Sequence, residues 1–430
     1  MPFGCCTFEL PPARSNFDVI PSKVSFEYNM KLAEFFESEK VLLPRGGDES
    51  AGSTFDGFLS DLFREYISLV EGIDDPEFAE ICKEAKTSVP GIQRLSKRIV
   101  AAVKHYLQGY PHLAYKEIER ALKDANIDRL ITTLSEWATS PPGPFDNYLA
   151  CTLHPPLYRL RSDRVSASRG ALSRKEIFHV PFEKRRLVRN QRYSIAGLPS
   201  LYLGSSIWIS WEELGRPDLD SVFVSRYRIS EEATVLDFQL PPLLAWKIYE
   251  YALRQSTSPT PLPRLNELQD RYDRSFLVSY VSCWPLIAAC SIRVDSREGS
   301  FFPQFIVPQL LLQWVTKKRK VDGIRYFSTR ASTPDYYVNA NLVFPARGIK
   351  HEGCCPFLKK KFYLTAPIHW EILELYEPNR AFVMGPGNAQ GVVKLTDDLL
   401  VPYSTTGFFR AEARLAQIEL EPGKSGPVED

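Results

Sequence analysis

The chain has 430 residues, 44% hydrophobic and 24% charged, the composition of a globular protein long enough for two or three domains and a sizeable core. Its 53 lysines and arginines against 52 aspartates and glutamates leave a formal net charge of +1. That balance excludes a polyelectrolyte built to coat nucleic acid or an acidic membrane, so any electrostatic function is local.

The first residues, MPFGCCTFELPPARSNF, lack a basic region followed by an apolar run and a small-residue cleavage site. The expectation is a cytoplasmic protein whose eight cysteines are reduced thiols. Two cysteine pairs are adjacent, Cys5–Cys6 and Cys354–Cys355, and neither has the spacing by which neighbouring ligands grip one ion, so no metal is expected.

From about residue 21 to 137 the pattern is helical. In STFDGFLSDLFREYISLVEGI (53–73), Phe55, Phe58, Leu59, Leu62, Phe63, Tyr66 and Val70 follow the three-four spacing of one helix face, with Ser53 or Thr54 to cap its start and Gly72 to end it. Stretches 25–40, 92–110, 112–125 and 127–138 read the same way, giving a helical domain over 1–145. TSPPGPF (139–145) cannot continue a helix and reads as a linker.

Beyond it, short β-branched and aromatic runs (198–204, 221–229, 234–240, 323–329) alternate with helical stretches (242–255, 308–320). The second part is therefore α+β, with a proline-rich loop at 257–265. The apolar segment 275–294 is interrupted by Ser279, Ser282, Pro285 and Ser291 and reads as a buried core element, not a membrane span. Residues 146–350 form the core of this part, 351–420 complete it, and 421–430 read as a disordered tail.

Residues 159–192 carry eleven lysines and arginines against Asp163, Glu176 and Glu183. Such a run is a solvated face or an anion site; aromatic residues do not interleave with it as base-stacking platforms would, so no nucleic-acid partner is expected.

Just downstream stand Arg192, Tyr193, Gly197, Pro199, Tyr202, Leu203 and Glu213, the glutamate eleven residues past Tyr202. This order resembles the RES domain family, which carries an Arg-aromatic-x-x-x-Gly-x-Pro-x-x-Tyr-Leu pattern and then a glutamate. LYRLRS (157–162) is similar to the family's opening strand, its arginine assigned to Arg159 with Arg161 second, and VDGIRYFSTR (321–330) to the late strand that leads to a conserved serine, here Ser328. The resemblance covers about residues 154–350. The chain departs from it where Gln191-Arg192-Tyr193-Ser194 replaces Gly-Arg-Trp-Asn, and Glu212 is adjacent to the matching glutamate. On a helix the two carboxylates point about 100° apart, so only one faces a pocket.

The resemblance implies an ADP-ribosyltransferase-like mixed α/β fold and cleavage of the nicotinamide–ribose bond of NAD, in a toxin or phage-defence effector. Glu213, Arg159 and Ser328 would be catalytic, and Arg192, Tyr193, Tyr202, Arg161 and His179 would bind NAD. A carboxylate near the ribose stabilises an oxocarbenium-like state, arginines match a pyrophosphate, and a tyrosine ring stacks on a nicotinamide or adenine face. Water, phosphate or a target protein could accept ADP-ribose; an antitoxin or regulator and a second copy of the chain are further expected partners.

The helical domain resembles the HEPN-like domains that precede some RES domains. Arg98 and His105 fit the longest spacing of the HEPN ribonuclease motif, which leaves an RNase reading beside a structural one. A non-catalytic nucleotide binder is a third. His179 could serve as acid, base or donor, or be a strand histidine satisfied by backbone.

Overall fold

The computed structural model describes residues 30–47, 54–125, 127–134, 156–164, 166, 172–230, 232–255, 269–294, 299–330, 340–348, 350–375, 392–396, 399–420, 425–426 and 428. The 139–145 linker, the 257–265 loop, Ser53, Cys5, Cys6 and nearly all of the 421–430 tail lie outside them.

Four helices come first: α1 (Leu32–Glu37), α2 (Phe55–Glu71), α3 (Ala79–Leu107) and α4 (Pro111–Asp124). In α2 the periodic residues Leu59, Leu62, Phe63, Tyr66 and Val70 are buried, as the spacing requires. Thr54 holds the N-cap position without a side-chain capping bond. α3 starts thirteen residues before the expected 92, running through Pro90. Its buried stripe from Ile81 to Val103 is continuous across that residue, so packing outweighs the lost backbone bond.

The described part of the stretch 127–138, residues 127–134, is a correction. A short 3₁₀ turn, Asp128–Leu130, leads into strand β1 (Ile131–Leu134), which pairs antiparallel with a strand of the later part. Ile131, Thr132 and Thr133 are β-branched, stiff at χ1, and fit a pleated edge better than a helix when an edge is within reach.

The remaining elements are β2 (Leu157–Ser162), α5 (Arg174–Ile177), β3 (Ser200–Gly204), α6 (Ile207–Glu213), β4 (Val222–Ile229), β5 (Ala233–Phe238), α7 (Pro242–Gln255), α8 (Arg274–Cys290), α9 (Ile306–Lys317), β6 (Gly323–Phe327), β7 (Ala340–Pro345), α10 (Pro356–Lys361), β8 (Phe362–Thr365), β9 (Ile368–His369), α11 (Trp370–Leu375), β10 (Val392–Thr396), β11 (Leu399–Pro402), α12 (Gly407–Leu420) and β12 (Ser425–Gly426). Among the described residues ten strands make one mixed sheet in the order β1-β5-β6-β7-β3-β2-β4-β8-β12, with β9 beside β4; β10 and β11 form a separate hairpin. β5 and β6 are parallel, and the other strand pairs among the described residues are antiparallel.

Side chains alternate faces along each strand, which sorts the core. Leu236, Phe238, Ile324 and Val343 turn to one face and join a cluster that runs from Leu32 through α2, α3, α4, α7, α8 and α9. Val235, Leu342, Phe344, Leu201 and Leu203 turn to the other, against Phe178 and Leu358. Tyr158, Leu160, Val222 and Val224 pack under α6, α11 and α12. Tyr158 lies opposite Gly204, which has the parity of Tyr202, so this third cluster shares the face of the first.

The bundle is thus fused to the later helices. The Tyr66 ring stacks on Trp284 at 4.0 Å and its hydroxyl donates to the Val281 carbonyl at 2.7 Å, while the Trp284 indole donates to the Val41 carbonyl at 3.0 Å. Segment 275–294 is mostly the buried helix α8, begun by Asp273, whose carboxylate accepts from the Phe276 amide at 2.7 Å. No helix among the described residues is long and apolar enough to cross a membrane.

Candidate functional site

α6 is short, so its ends decide where its side chains point. At the start, Ser206 accepts from the Ile209 amide at 3.1 Å, and buried Glu412 reaches from α12 to accept from the Ile207 amide at 2.7 Å. At the end, Gly215 has φ 85°; its amide donates to the Glu212 carbonyl at 3.0 Å and the Arg216 amide to the Trp211 carbonyl at 3.0 Å. This is a Schellman closure, which needs a residue able to sit in the left-handed region. Gly204 lets α6 approach β3: a Cβ there would stand 2.7 Å from Ile209 Cγ2.

The two glutamates diverge. Glu212 is buried and accepts from Arg216 Nε at 3.0 Å; burial pushes its carboxyl up, and the guanidinium opposes that. Glu213, with a third of its side chain exposed, accepts from Ser328 Oγ at 2.7 Å and from Asn341 Nδ2 at 2.9 Å, both on Oε1. Arg330 Nε lies 3.5 Å from its other oxygen, and Arg330 also donates to the Glu212 and Glu213 carbonyls at 3.0 Å each. A cation at a helix C-terminus offsets its partial negative charge and satisfies carbonyls that have no partner within the helix.

Ser328 follows β6 and Asn341 lies in β7, the next strand. Gly204 pairs with Asn341, and Asn341 with Tyr326. Register therefore sets the amide under the end of α6. Tyr202, two residues before Gly204 and on the same face, bonds the Ser194 hydroxyl at 2.7 Å. Burial pushes its phenol up, with the Glu213 carboxylate adding to the rise. The buried Tyr326 phenol is raised for the same two reasons, and its ring lies 4.5 Å from that of Tyr193.

The arginines expected to converge on this carboxylate do not. Alternation along β2 sends Arg159 to the opposite face, that of Leu157 and Tyr227. Its guanidinium donates to the Tyr202 carbonyl at 2.7 Å, where β2 and β3 part after one paired position. Burial pulls its pKa down. Among the described residues no hydrogen bond or ion pair joins Arg159 to Glu213. Arg161 is tied to Asp163 at 3.2 Å and to the Glu176 carbonyl.

Arg192 donates to the Cys290 and Ile292 carbonyls at 3.2 and 2.9 Å and to Thr329 Oγ1 at 2.8 Å, and lies over the Phe305 ring. It ties the end of α8 to the residue beside Ser328. It is a positioning group in this arrangement, not a free anion clamp.

His179 follows the second of its two readings, a histidine satisfied by backbone. Its Nδ1 lies 2.8 Å from the Val180 carbonyl and its Nε2 accepts from the Cys355 amide at 2.7 Å, so both nitrogens are committed to backbone. Burial lowers its pKa to about 4, with Arg159 as a smaller cause. The ring is a neutral strut. Arg98 is likewise engaged, with Asp124 at 2.7 Å and Glu117 at 3.2 Å, bracing α3 on α4.

Sequence reasoning missed Asn341, Arg330 and Thr329. Arg330 stands two residues past Ser328 in the quoted motif, a signal that could have marked it; Asn341 becomes visible only with the β3–β7 register. No group of three or more histidine, cysteine or acidic side chains among the described residues could hold a metal.

No known protein-family profile matches the chain, and no solved structure does. Over 339 residues it is 29% identical to a Bacillus subtilis (strain 168) protein named "Putative toxin YopC", a match spanning 77% of this chain and 69% of that protein.

Proposed function

We propose that the chain is a toxin-like enzyme of the RES kind that cleaves the nicotinamide–ribose bond of NAD, with Glu213 as the carboxylate that faces the ribose. One observation carries the reading: Glu213 and Ser328, 115 residues apart and chosen on spacing and chain order, are 2.7 Å apart. The toxin name of the Bacillus subtilis relative supports the biological role.

Departure of nicotinamide from C1 of the ribose leaves an oxocarbenium-like cation. A nearby carboxylate stabilises that charge and accepts a hydrogen bond from a ribose hydroxyl. Ser328 and Asn341 fix the orientation of Oε1, and the remaining exposure leaves the carboxylate within reach of a substrate. Arg330 is the cation nearest to Glu213. It replaces Arg159 and Arg192 as the candidate partner of the pyrophosphate on position: it adjoins the carboxylate, whereas Arg159 lies on the opposite face of the sheet and Arg192 is tied to the end of α8. Tyr202 and Tyr326 supply neutral aromatic groups close by.

The acceptor of ADP-ribose is read by experiment. Purified protein is incubated with NAD, with and without inorganic phosphate, and products are resolved by mass. ADP-ribose alone identifies water, a phosphorylated ADP-ribose identifies phosphate, and a mass increase on added protein identifies transfer. Intact NAD in every arm, at high protein concentration, would sink the proposal. Binding of NAD without turnover would favour the non-catalytic binder.

A further inference from the structure

The basic run that the sequence singles out is not absorbed by the carboxylate site. Lys184, Arg185, Arg186 and Arg189 are exposed, on and just after a 3₁₀ helix, Phe182–Leu187, against the single carboxylate of Glu183. Glu183 is itself engaged, accepting from the Gly353 amide at 2.8 Å. Among the described residues Lys184, Arg186 and Arg189 have no ion-pair partner, in a chain whose total charge is +1.

Beside these cations lies a cavity of about 370 Å³. Arg185 lines it, and its Nε donates to the Gly197 carbonyl at 2.9 Å, holding the Gly-Leu-Pro turn as one wall. Leu198, Pro199, Leu312 and Pro345 give an apolar lining. Leu198 of the lining is 40% exposed, and Leu187, on the same 3₁₀ helix as Lys184, Arg185 and Arg186, is 61% exposed, so exposed apolar side chains accompany the cations. Glu213, Ser328 and Asn341 are not part of it.

We propose that this face docks an acidic protein segment that inserts one large apolar side chain into the cavity. The charge is spread over about two turns of chain, ~10 Å at 2 Å per 3₁₀ residue, which suits several carboxylates along a segment better than the single head of a small anion. The apolar cavity suits an aliphatic or aromatic anchor. A nucleic acid would need bases to stack on exposed rings, and the exposed large apolar side chains here, Leu187 and Leu198, are aliphatic. The seat touches Tyr193 and Ser194, next to the Arg192 that ties to Thr329, so an occupant contacts the turn that supports Ser328.

The test uses the full chain, immobilised, and a library of random displayed 12-residue peptides. Enriched peptides are expected to carry several Asp or Glu and one Leu, Phe or Trp at a recurrent offset. A synthesised winner, followed by fluorescence anisotropy, should lose at least tenfold in affinity on Arg186→Glu/Arg189→Glu and at least fivefold on Leu198→Asp, whose site is exposed enough for the fold to tolerate it. Glu213→Gln should bind it as the wild type does, which separates this proposal from the NAD reading. No enrichment, winners without acidic residues, affinity unmoved by charge reversal, or a labelled single-stranded RNA that binds more tightly than the peptide would each overturn it.

Discussion

Glu412 is fully buried, accepts from the Ile207 amide and from the Tyr403 hydroxyl at 2.6 Å on one oxygen, and has Arg226 as its nearby cation. Burial raises its pKa from 4.5 to about 8. Between those values the native state holds a proton that the unfolded chain has released, so stability is present below about pH 4.5 and is lost as pH rises through 8. The slope is about 1.4 kcal/mol per pH unit. His179 acts oppositely: its pKa is lowered from 6.5 to about 4, so it adds stability as pH rises through that window. The two offset each other below pH 6.5. From pH 6.5 to 8 Glu412 acts without that offset, and wild-type protein is expected to lose about 2 kcal/mol, a drop of a few degrees in melting temperature. Glu412→Gln keeps the acceptor oxygen and removes the titration. Melting scans of both proteins across that range should show a fall for the wild type and a flat line for the variant. Parallel curves would refute a buried neutral carboxyl at the head of α6.

His179→Phe fills the volume but leaves the Cys355 amide unpaired, and should cost about 1–3 kcal/mol of stability and remove the gain from pH 4 to 6.5, read by urea unfolding. Gly204→Val should displace α6 and reduce NAD turnover at least tenfold with the protein still folded, because its Cβ meets Ile209. Trp284→Ala removes the ring under Tyr66 and should destabilise by about 3–5 kcal/mol, melting the N-terminal helices and α8 together; separate transitions would show that the bundle is an independent domain.

What was legible follows the range of the physics. Periodicity found α2, α4, α7 and α9 because three-four spacing is local, segment 275–294 was legible only as a buried core element, and the β-branched runs at 198–204, 221–229 and 323–329 contain strands β3, β4 and β6. β1 was lost because four residues inside helical texture become a strand only when β5 offers an edge. α3 was cut short at Pro90, whose cost the flanking burial outweighs. The joining of Tyr66 to Trp284 rests on contacts 218 residues apart, which no window contains.

The site divides in the same way. Eleven-residue spacing marked Glu213, and chain order marked Ser328. The direction of Arg159 depends on the phase of alternation along β2, which is fixed by its pairing with β4 and by the parting from β3. Asn341 carries no motif, and the β3–β7 register alone puts it against Glu213.

The most direct test of the account is free nicotinamide released from NAD by wild type, Glu213→Gln and Glu212→Gln, each checked for an unchanged melting temperature near pH 7. The account predicts release by the wild type, a loss of at least a hundredfold in Glu213→Gln, and near-normal release in Glu212→Gln, whose carboxylate serves Arg216. Equal release by wild type and Glu213→Gln, or none from any of the three, would contradict it.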